Sequence, residues 1–429
     1  MSNDKAFILT HESDPQRRTK GTSLIALALT RSLGRQGISV VRVHPNRFDR
    51  SLDSRYCAAV EVSPDFYASE TALLDFLLAL PRRYGGTRVL IPGSDDCAWF
   101  VARYHAELST AFAVAAPPGT VMETILDKQR QYETAQALGI PIPETYFPGS
   151  LEEVAQLAPG LANYPYVIKP LVAHAWRRSS MKGVSQGKKG FAVRNAEELL
   201  GRYEEIARGD RRIMIQEVIG GADERLYTFL SYFDAQSRPL GYCIRKKLRQ
   251  LPLDFGYCTL TESCHDETVR EQSLRLLTGL GYHGLSGVEW KCDPGSGIYK
   301  LIEVNPRAVN TTAIAAACGV DLPAIAFRDK LGLPGAPPAD WRDGVKWINF
   351  EQDVWAARAL NRAGKLNWRA WWQSWSGRKV DAVFALDDLK PGVGHCLGLL
   401  TARLRRRRAR RAKPAGMLDG QPVPGGGTP

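Results

Sequence analysis

Glu289, Glu303, Asn305 and Arg307 stand close together in the sequence, carried by two hydrophobic stretches at 286–291 and 298–304. Between the stretches lies Asp293-Pro-Gly-Ser-Gly, dense in turn-forming residues as a hairpin loop requires. Side chains alternate faces along a strand, so Glu303 and Asn305 point the same way, and a paired strand can set Glu289 beside them. Two carboxylates and an amide oxygen suit a hard cation such as Mg²⁺, which prefers oxygen ligands and shares its remaining positions with substrate phosphates. Pro306 ends the second strand, and Arg307 adds a planar donor fork suited to phosphoryl or carboxylate oxygens. Taken alone, an acidic hairpin is more often an ordinary sheet edge with solvated carboxylates, so the reading depends on what else the chain supplies.

Cationic groups come from upstream. Tyr166-Val-Ile-Lys169-Pro170 is a short apolar strand ending in a lysine, and Pro170 biases Lys169 towards an extended conformation that aims its ammonium out of the strand end. Asp127 is a cap for a helix beginning at Lys128 and running towards Ala137-Leu-Gly-Ile-Pro-Ile-Pro143. The stretch 177–190 mixes Gly, Ser and Lys, the composition of a loop whose backbone and side chains can meet phosphates. Earlier still, 6–10 reads as a strand, 21–33 as a helix and 38–43 as a second strand, a βαβ opening followed by a helix over 73–80 and a buried strand over 88–92. Residues 1–118 therefore read as a small doubly wound α/β domain. No G-x-G-x-x-G fingerprint follows its first strand, so nicotinamide binding is not supported. Asp95 and Asp96, after the strand over 88–92, are candidate substrate contacts, with a helix N-cap the expected use of at least one.

The order and spacing of these motifs resemble the ATP-grasp superfamily over roughly 120–330. That resemblance implies an α/β fold with the ATP-grasp domain at 119–335, divided into a first lobe at 119–215 with its phosphate loop and a second lobe at 216–335 with the metal site. The doubly wound domain would precede it. ATP and Mg²⁺, with Mn²⁺ as a substitute, are the implied cofactors, the metal held by Glu289, Glu303 and Asn305. Lys128 and Lys169 would hold the α- and β-phosphates under a loop containing Ser179, Ser180 and Gly183. The loop is less glycine-rich than in many relatives, so its role is better specified than any single residue in it. Glu217, Val218 and Ile219 would present backbone groups to adenine, and either Asp223 or Glu224 would accept the ribose hydroxyls. Arg245, Lys247 and Arg249, read as a strand running into a basic turn, are candidates for the γ-phosphate or the acyl substrate, as is Arg307.

Within the superfamily the chain looks most like the carboxylate-amine ligase branch that includes D-aspartate ligases. The narrower match rests on Lys247-Leu-Arg249-Gln-Leu-Pro, on Leu301-Ile-Glu303-Val-Asn305-Pro-Arg307, and on the alanine-rich helix and Gly319-Val-Asp-Leu-Pro323 that follow. It implies amide formation through an acyl phosphate from small-molecule carboxylate and amine substrates, either of which can be lipid- or polymer-linked, as in cell-wall or surface-polymer modification. A thiol or ammonia acceptor, and a nucleotide-binding module without turnover, are the alternative readings. No Ser/His or Cys/His nucleophile constellation is present, and this chemistry does not require one.

Composition sets outer limits. The chain has 429 residues, 44% hydrophobic and 24% charged, enough for two or three domains with ample core. Its eight cysteines show no paired spacing, which favours reduced thiols packed as small hydrophobes. No apolar run reaches the roughly eighteen residues of a membrane span, and no signal-type start is evident, so a cytoplasmic enzyme is expected. The net charge of +12 is concentrated: eight basic residues and no acidic one fall within 403–413. Specific nucleic-acid binding is therefore not expected of the folded body. The tail at 401–429 reads as basic and then Pro/Gly-rich and disordered. Residues 336–400 read as a helical, Trp-rich extension, mostly packed on the core, with a second reading in which Trp371, Trp372 and the arginine tail meet an anionic membrane at its inner face.

Overall fold

The computed structural model describes residues 3–11, 22–172, 176, 184, 190–253, 256–333 and 340–412, with the side chains of 402–412 excepted. Among the described residues three sheets follow one another along the chain. The first is parallel, with strands β1 (Lys5–Leu9), β2 (Ser39–His44), β3 (Cys57–Val62), β4 (Arg88–Pro92) and β5 (Ala113–Val114) in the order β3-β2-β1-β4-β5. Helices cover both faces, which is why its central strands read as continuous apolar runs. Alternate residues of β1 serve two cores: Phe7 and Leu9 pack within this sheet's own cluster, whereas Ala6 and Ile8 join the main core shared with the rest of the molecule.

The second sheet is antiparallel, with β6 (Thr145–Tyr146), β7 (Tyr166–Pro170), β8 (Phe191–Val193) and β9 (Ile213–Glu217) in the order β6-β9-β7-β8. Helices Leu151–Leu157 and Ala196–Ala207 close a separate core over it, formed by Tyr166, Ile168, Leu199, Tyr203 and Ile215 among others.

The third and largest sheet contains β10 (Leu226–Phe233), β11 (Pro239–Leu251), β12 (Tyr257–Ser263), β13 (Gly284–Cys292), β14 (Tyr299–Asn305), β15 (Lys346–Ile348) and β16 (Lys379–Asp381). Their order is β14-β13-β10-β11-β12-β15-β16. The two strands expected around the acidic hairpin are therefore present as β13, two residues longer at its start and one at its end, and β14, shifted one residue onward. The basic segment differs from expectation. Arg245, Lys247 and Arg249 do not enter a turn; all lie inside the thirteen-residue β11, and the chain turns only after Leu251. Their high polarity arises because this part of β11 lines a polar face of the sheet rather than the apolar core.

The Trp-rich extension is packed only in part, with Trp355, Trp368 and Trp372 exposed. Trp341 and Trp347 are buried, and the indoles of Trp371 and Trp375 both donate to the buried carboxylate of Asp353, at 2.8 and 3.0 Å. Trp371 is thereby tied inward by a hydrogen bond, in the direction of the packed reading, whereas Trp372 is exposed. Among the described residues no helix is long and apolar enough to cross a membrane.

Candidate active site

The site is built on one face of the third sheet. In antiparallel strands directly opposed residues share a face. Glu303 on β14 is opposite Glu289 on β13, Glu289 is opposite Thr228 on β10, and Thr228 is opposite Arg245 on β11. Two residues along each strand, the same face carries Asn305, Lys291 and Lys247. Two carboxylates and an amide are thus gathered at one end of a row whose other end is cationic.

Two helices bring further charge to this row. Asp127 caps the helix Lys128–Ala137, accepting from the N–H of Gln129 and Arg130 at 3.0 and 3.3 Å. That helix is tied to β14 by Gln131, which accepts from Val304 N–H at 3.3 Å, and by Tyr132, which donates to Ile302 O at 2.6 Å. These bonds place Lys128 Nζ 3.3 Å from Glu303 Oε1. Burial alone would lower the ammonium's pKa, but Glu303, Tyr132 and Asp95 outweigh it and hold Lys128 above the ordinary lysine value. Gln131 and Tyr132 were not singled out in the sequence, because their work is to bond a strand far away in the chain.

Arg307, just past β14, forms a bidentate pair with Asp95 of the N-terminal sheet, at 2.7 and 3.0 Å, and donates to Asn305 Oδ1 at 3.4 Å. Asp95 opens the helix Asp95–Arg103, which Ser94 caps through a bond from Cys97 N–H at 3.2 Å. Neither Asp95 nor Asp96 is the N-cap, as the sequence had suggested for at least one of them: the extended backbone of Ser94 takes that position and leaves both carboxylates inside the first turn. Asp96 instead meets His11 Nε2 at 2.9 Å and the Tyr67 hydroxyl at 2.9 Å. Both aspartates sit at the carboxyl ends of β1 and β4, where the strand order reverses, the usual location of a ligand crevice in such sheets.

Lys169, next to last in β7, has its ammonium 3.0 Å from Gln216 Oε1 on β9, and Gln216 donates onward to Thr145 Oγ1 at 2.9 Å. Charge-assisted hydrogen bonds contribute about 1.5–3 kcal/mol. If Lys169 contacts a nucleotide phosphate, Lys169→Ala is expected to weaken ATP binding by roughly 10- to 100-fold, read by calorimetry under non-turnover conditions. An unchanged affinity removes Lys169 from the nucleotide site.

The hinge between the second and third sheets follows β9. Glu217 N–H donates to Glu144 O and Val218 N–H to Pro165 O, so of the three expected adenine contacts only Ile219 retains a backbone donor not used in these bonds. The Glu217 side chain pairs with Lys300. Gly221 turns the chain with φ of +89°, a conformation that favours glycine. Lys291 Nζ then donates to the carbonyls of Gly221 and Ala222, at 3.2 and 2.7 Å, fixing the hinge to the same sheet face. Asp223 accepts from Gln250 at 2.7 Å, and burial raises its pKa against the opposing pull of Lys247 and Lys291. Glu224, its neighbour, is exposed.

The three basic residues of β11 have different surroundings. Lys247 Nζ bonds Gln250 Oε1 at 3.1 Å. Arg245 is buried, bonds Thr261 Oγ1 at 3.3 Å through Nη1, and keeps a buried Nε without a partner among the described residues. Thr228 Oγ1, adjacent to it in the row, is likewise buried without one. Arg249 parts from the set: its Nε and Nη2 both bond Asp353 at 2.8 Å, so the fork turns into the C-terminal extension. Ser179, Ser180 and Gly183 lie outside the described residues.

The donor set fits the expected ligands. Glu289, Glu303 and Asn305 supply hard oxygen atoms for a divalent cation. Lys128, Lys169, Arg245, Lys247 and Arg307 are the cations that would face phosphates, and the orphaned Arg245 Nε and Thr228 Oγ1 are buried polar atoms of the kind a bound group would satisfy.

Residues 258–334 match the family model of the carbamoyl-phosphate synthase L chain, ATP binding domain. D-aspartate ligase of Enterococcus faecium (strain Aus0004) is 23% identical over 300 residues, covering 66% of this chain and 69% of that protein. The N-terminal section of the carbamoyl phosphate synthase large chain of Methanopyrus kandleri is 25% identical over 334 residues; 71% of this chain is covered, which spans only 52% of that relative. Among solved structures, L-amino acid ligase from Bacillus licheniformis superimposes with a TM-score of 0.56 at 14% identity, over 76% of this chain and 74% of that one. Motif order, the charged row across the third sheet, and the ligases and synthases among the relatives all agree with the resemblance of this chain to the ATP-grasp superfamily.

Proposed function

We propose that the protein is an ATP-dependent carboxylate–amine ligase. The observation that carries this reading is the continuous row from Asn305 and Glu303 through Glu289 and Thr228 to Arg245 and Lys247, acidic where a metal would sit and cationic where phosphates would lie. The similarity to D-aspartate ligase supports the choice of an amide product. In this reading residues 119–335 form the nucleotide-binding part and residues 1–118 contribute to the substrate side through Asp95.

Bound at Glu289, Glu303 and Asn305, Mg²⁺ would offset charge on the β- and γ-phosphates. Lys128 and Lys169 hold the remaining phosphate charge, Ile219 N–H meets the adenine edge, and Asp223 accepts from ribose. Arg307, kept in one orientation by Asp95, and Arg245 face the transferring group. A substrate carboxylate oxygen attacks the γ-phosphorus as the bond to ADP breaks, giving an acyl phosphate and ADP. The amine nitrogen then attacks the acyl carbon, phosphate leaves with the C–O bonding pair, and the amine's proton passes to solvent. Fixed cations along the sheet stabilise charge in both steps without rearranging, which is where most of the acceleration arises.

Asp95→Asn keeps the side chain's size but removes the charge that orients Arg307. It is expected to lower kcat by about 10- to 100-fold with little change in ATP affinity, since it misplaces a group that acts on the transferring phosphoryl. Parallel losses in both parameters would instead assign Asp95 a structural role.

The substrate pair is tested by phosphate release from Mg-ATP across a matrix of carboxylic acids and amines, including D- and L-amino acids, with product masses read in parallel. Release that requires one acid and one amine and gives a condensed product establishes the ligase. A thioester or a primary amide as product would identify the acceptor as a thiol or ammonia. No release with free substrates, but release with a lipid- or polymer-linked one, would place the enzyme in surface-polymer modification.

A further inference from the structure

The C-terminal helix, Leu389–Ala412, has one face seated and one face bare. On the seated side Gly394 and Gly398 lie so close to the Arg50 guanidinium that an added Cβ would come within 2.7 and 3.0 Å of it. His395 bonds Glu351 at 2.9 Å on the same side. The segment leading into the helix is held equally firmly, because Asp388 is buried and ion-paired with Arg31 at 2.9 Å. The helix is therefore anchored to the body in one orientation.

Its outer side is apolar. Leu389, Val393, Leu397 and Leu400 recur at spacings of four, four and three residues, which puts them on one face of a helix. All are exposed, and Leu386, just before the helix, is 95% exposed. Phe384 and Cys396 help to line an apolar groove of about 380 Å³ along this face. A contiguous stripe of this kind is rare on a protein that remains free in water and marks a contact surface. The same helix continues to Ala412, and the sequence over 403–413 has eight basic residues and no acidic one.

We propose that this helix is an interfacial anchor that lays its Leu389–Leu400 stripe into an anionic lipid surface, with the basic run meeting the headgroups. Apolar insertion joined to a cationic segment is the combination such a surface selects. A protein partner would account for the leucines but not for a run of eight basic residues with no acidic one among them, and a nucleic acid would account for the cations but not for an exposed leucine stripe. With no helix able to span a membrane among the described residues, the contact lies in the plane of the surface. The Trp371 and Trp375 indoles have no part in it, because Asp353 engages both. The proposal does not depend on the ligase reading, although an anchored enzyme would be well placed for a lipid-linked substrate.

The test is flotation of the full chain with vesicles of phosphatidylcholine alone and of equal parts phosphatidylcholine and phosphatidylglycerol. Wild type should float with the anionic vesicles and not the neutral ones, less so as salt is raised. Two variants separate the contributions: Leu389→Glu/Val393→Glu/Leu400→Glu removes the stripe, and replacement of the arginines at 405–408 by glutamine removes part of the charge. Each should reduce binding by about tenfold or more, with Mg-ATP affinity unchanged as evidence of folding. The proposal is overturned if wild type fails to float with anionic vesicles, or if the stripe variant floats as well as wild type while the glutamine variant does not, which would leave only nonspecific polyanion binding. It is equally overturned if the stripe variant converts a stable dimer to a monomer, since the face would then cover a second copy.

Discussion

Glu303→Gln is expected to reduce Mg-ATP turnover by on the order of 10²–10³-fold while leaving the fold intact. The substitution removes one ligand charge with almost no change in volume, at a side chain that is partly exposed and sits at the end of an edge strand. Its first consequence falls on the metal. Glu289 stays opposite position 303 on β13, but a carboxylate and two amides hold a divalent cation more weakly than two carboxylates and one amide. Its second falls on Lys128, which loses the nearby carboxylate that contributes to holding its pKa up against burial. The ammonium is then freer to engage phosphate, so nucleotide affinity should fall much less than turnover, and the Mg²⁺ concentration needed for half-maximal rate should rise. Steady-state phosphate release over a Mg²⁺ titration, with ATP binding measured separately, reads all three quantities. Wild-type turnover at ordinary Mg²⁺ would remove Glu303 from the metal site.

Much of this site was legible because its residues obey local rules. Glu303 and Asn305 share a face by strand alternation, the turn residues after Asp293 specify the hairpin, and Asp127 caps its helix from the position its chemistry predicts. The first, second and fourth strands of the N-terminal sheet were legible as apolar runs, whereas the edge strand β3 was missed because its Cys-Ala-Ala-Val-Glu-Val sequence is only half-buried and weakly patterned. Other features depend on partners distant in sequence. Lys291 reads as a strand lysine until the hinge carbonyls of Gly221 and Ala222 are placed against it. The second half of β11 reads as a basic turn because a strand lining a polar face has cations where apolar residues would otherwise mark a core, so its polarity hides its secondary structure.

Arg249 shows the same ambiguity at one side chain, and Asp353→Ala is the substitution that resolves it. Arg249 is about as buried as Arg245, but its guanidinium meets an aspartate that is wholly inaccessible and also accepts from Thr259, Trp371 and Trp375. Removing Asp353 leaves a buried cation and three other donors without their acceptor, a loss of about 3–5 kcal/mol. The extension that packs through this carboxylate should loosen first, lowering the Tm by roughly 5–15 °C and exposing the Trp cluster to fluorescence quenchers. Arg249→Met/Asp353→Leu removes both charges at similar volume, so it should recover part of the stability; the Trp371 and Trp375 indoles, being only partly buried, can turn to water. That double variant also separates the two roles open to Arg249. Wild-type Mg-ATP turnover in the restored protein would make the arginine a structural tie between β11 and the helix Phe350–Arg362, whereas a stable protein with turnover reduced by about 10²-fold or more would return it to the phosphoryl-transfer machinery beside Arg245.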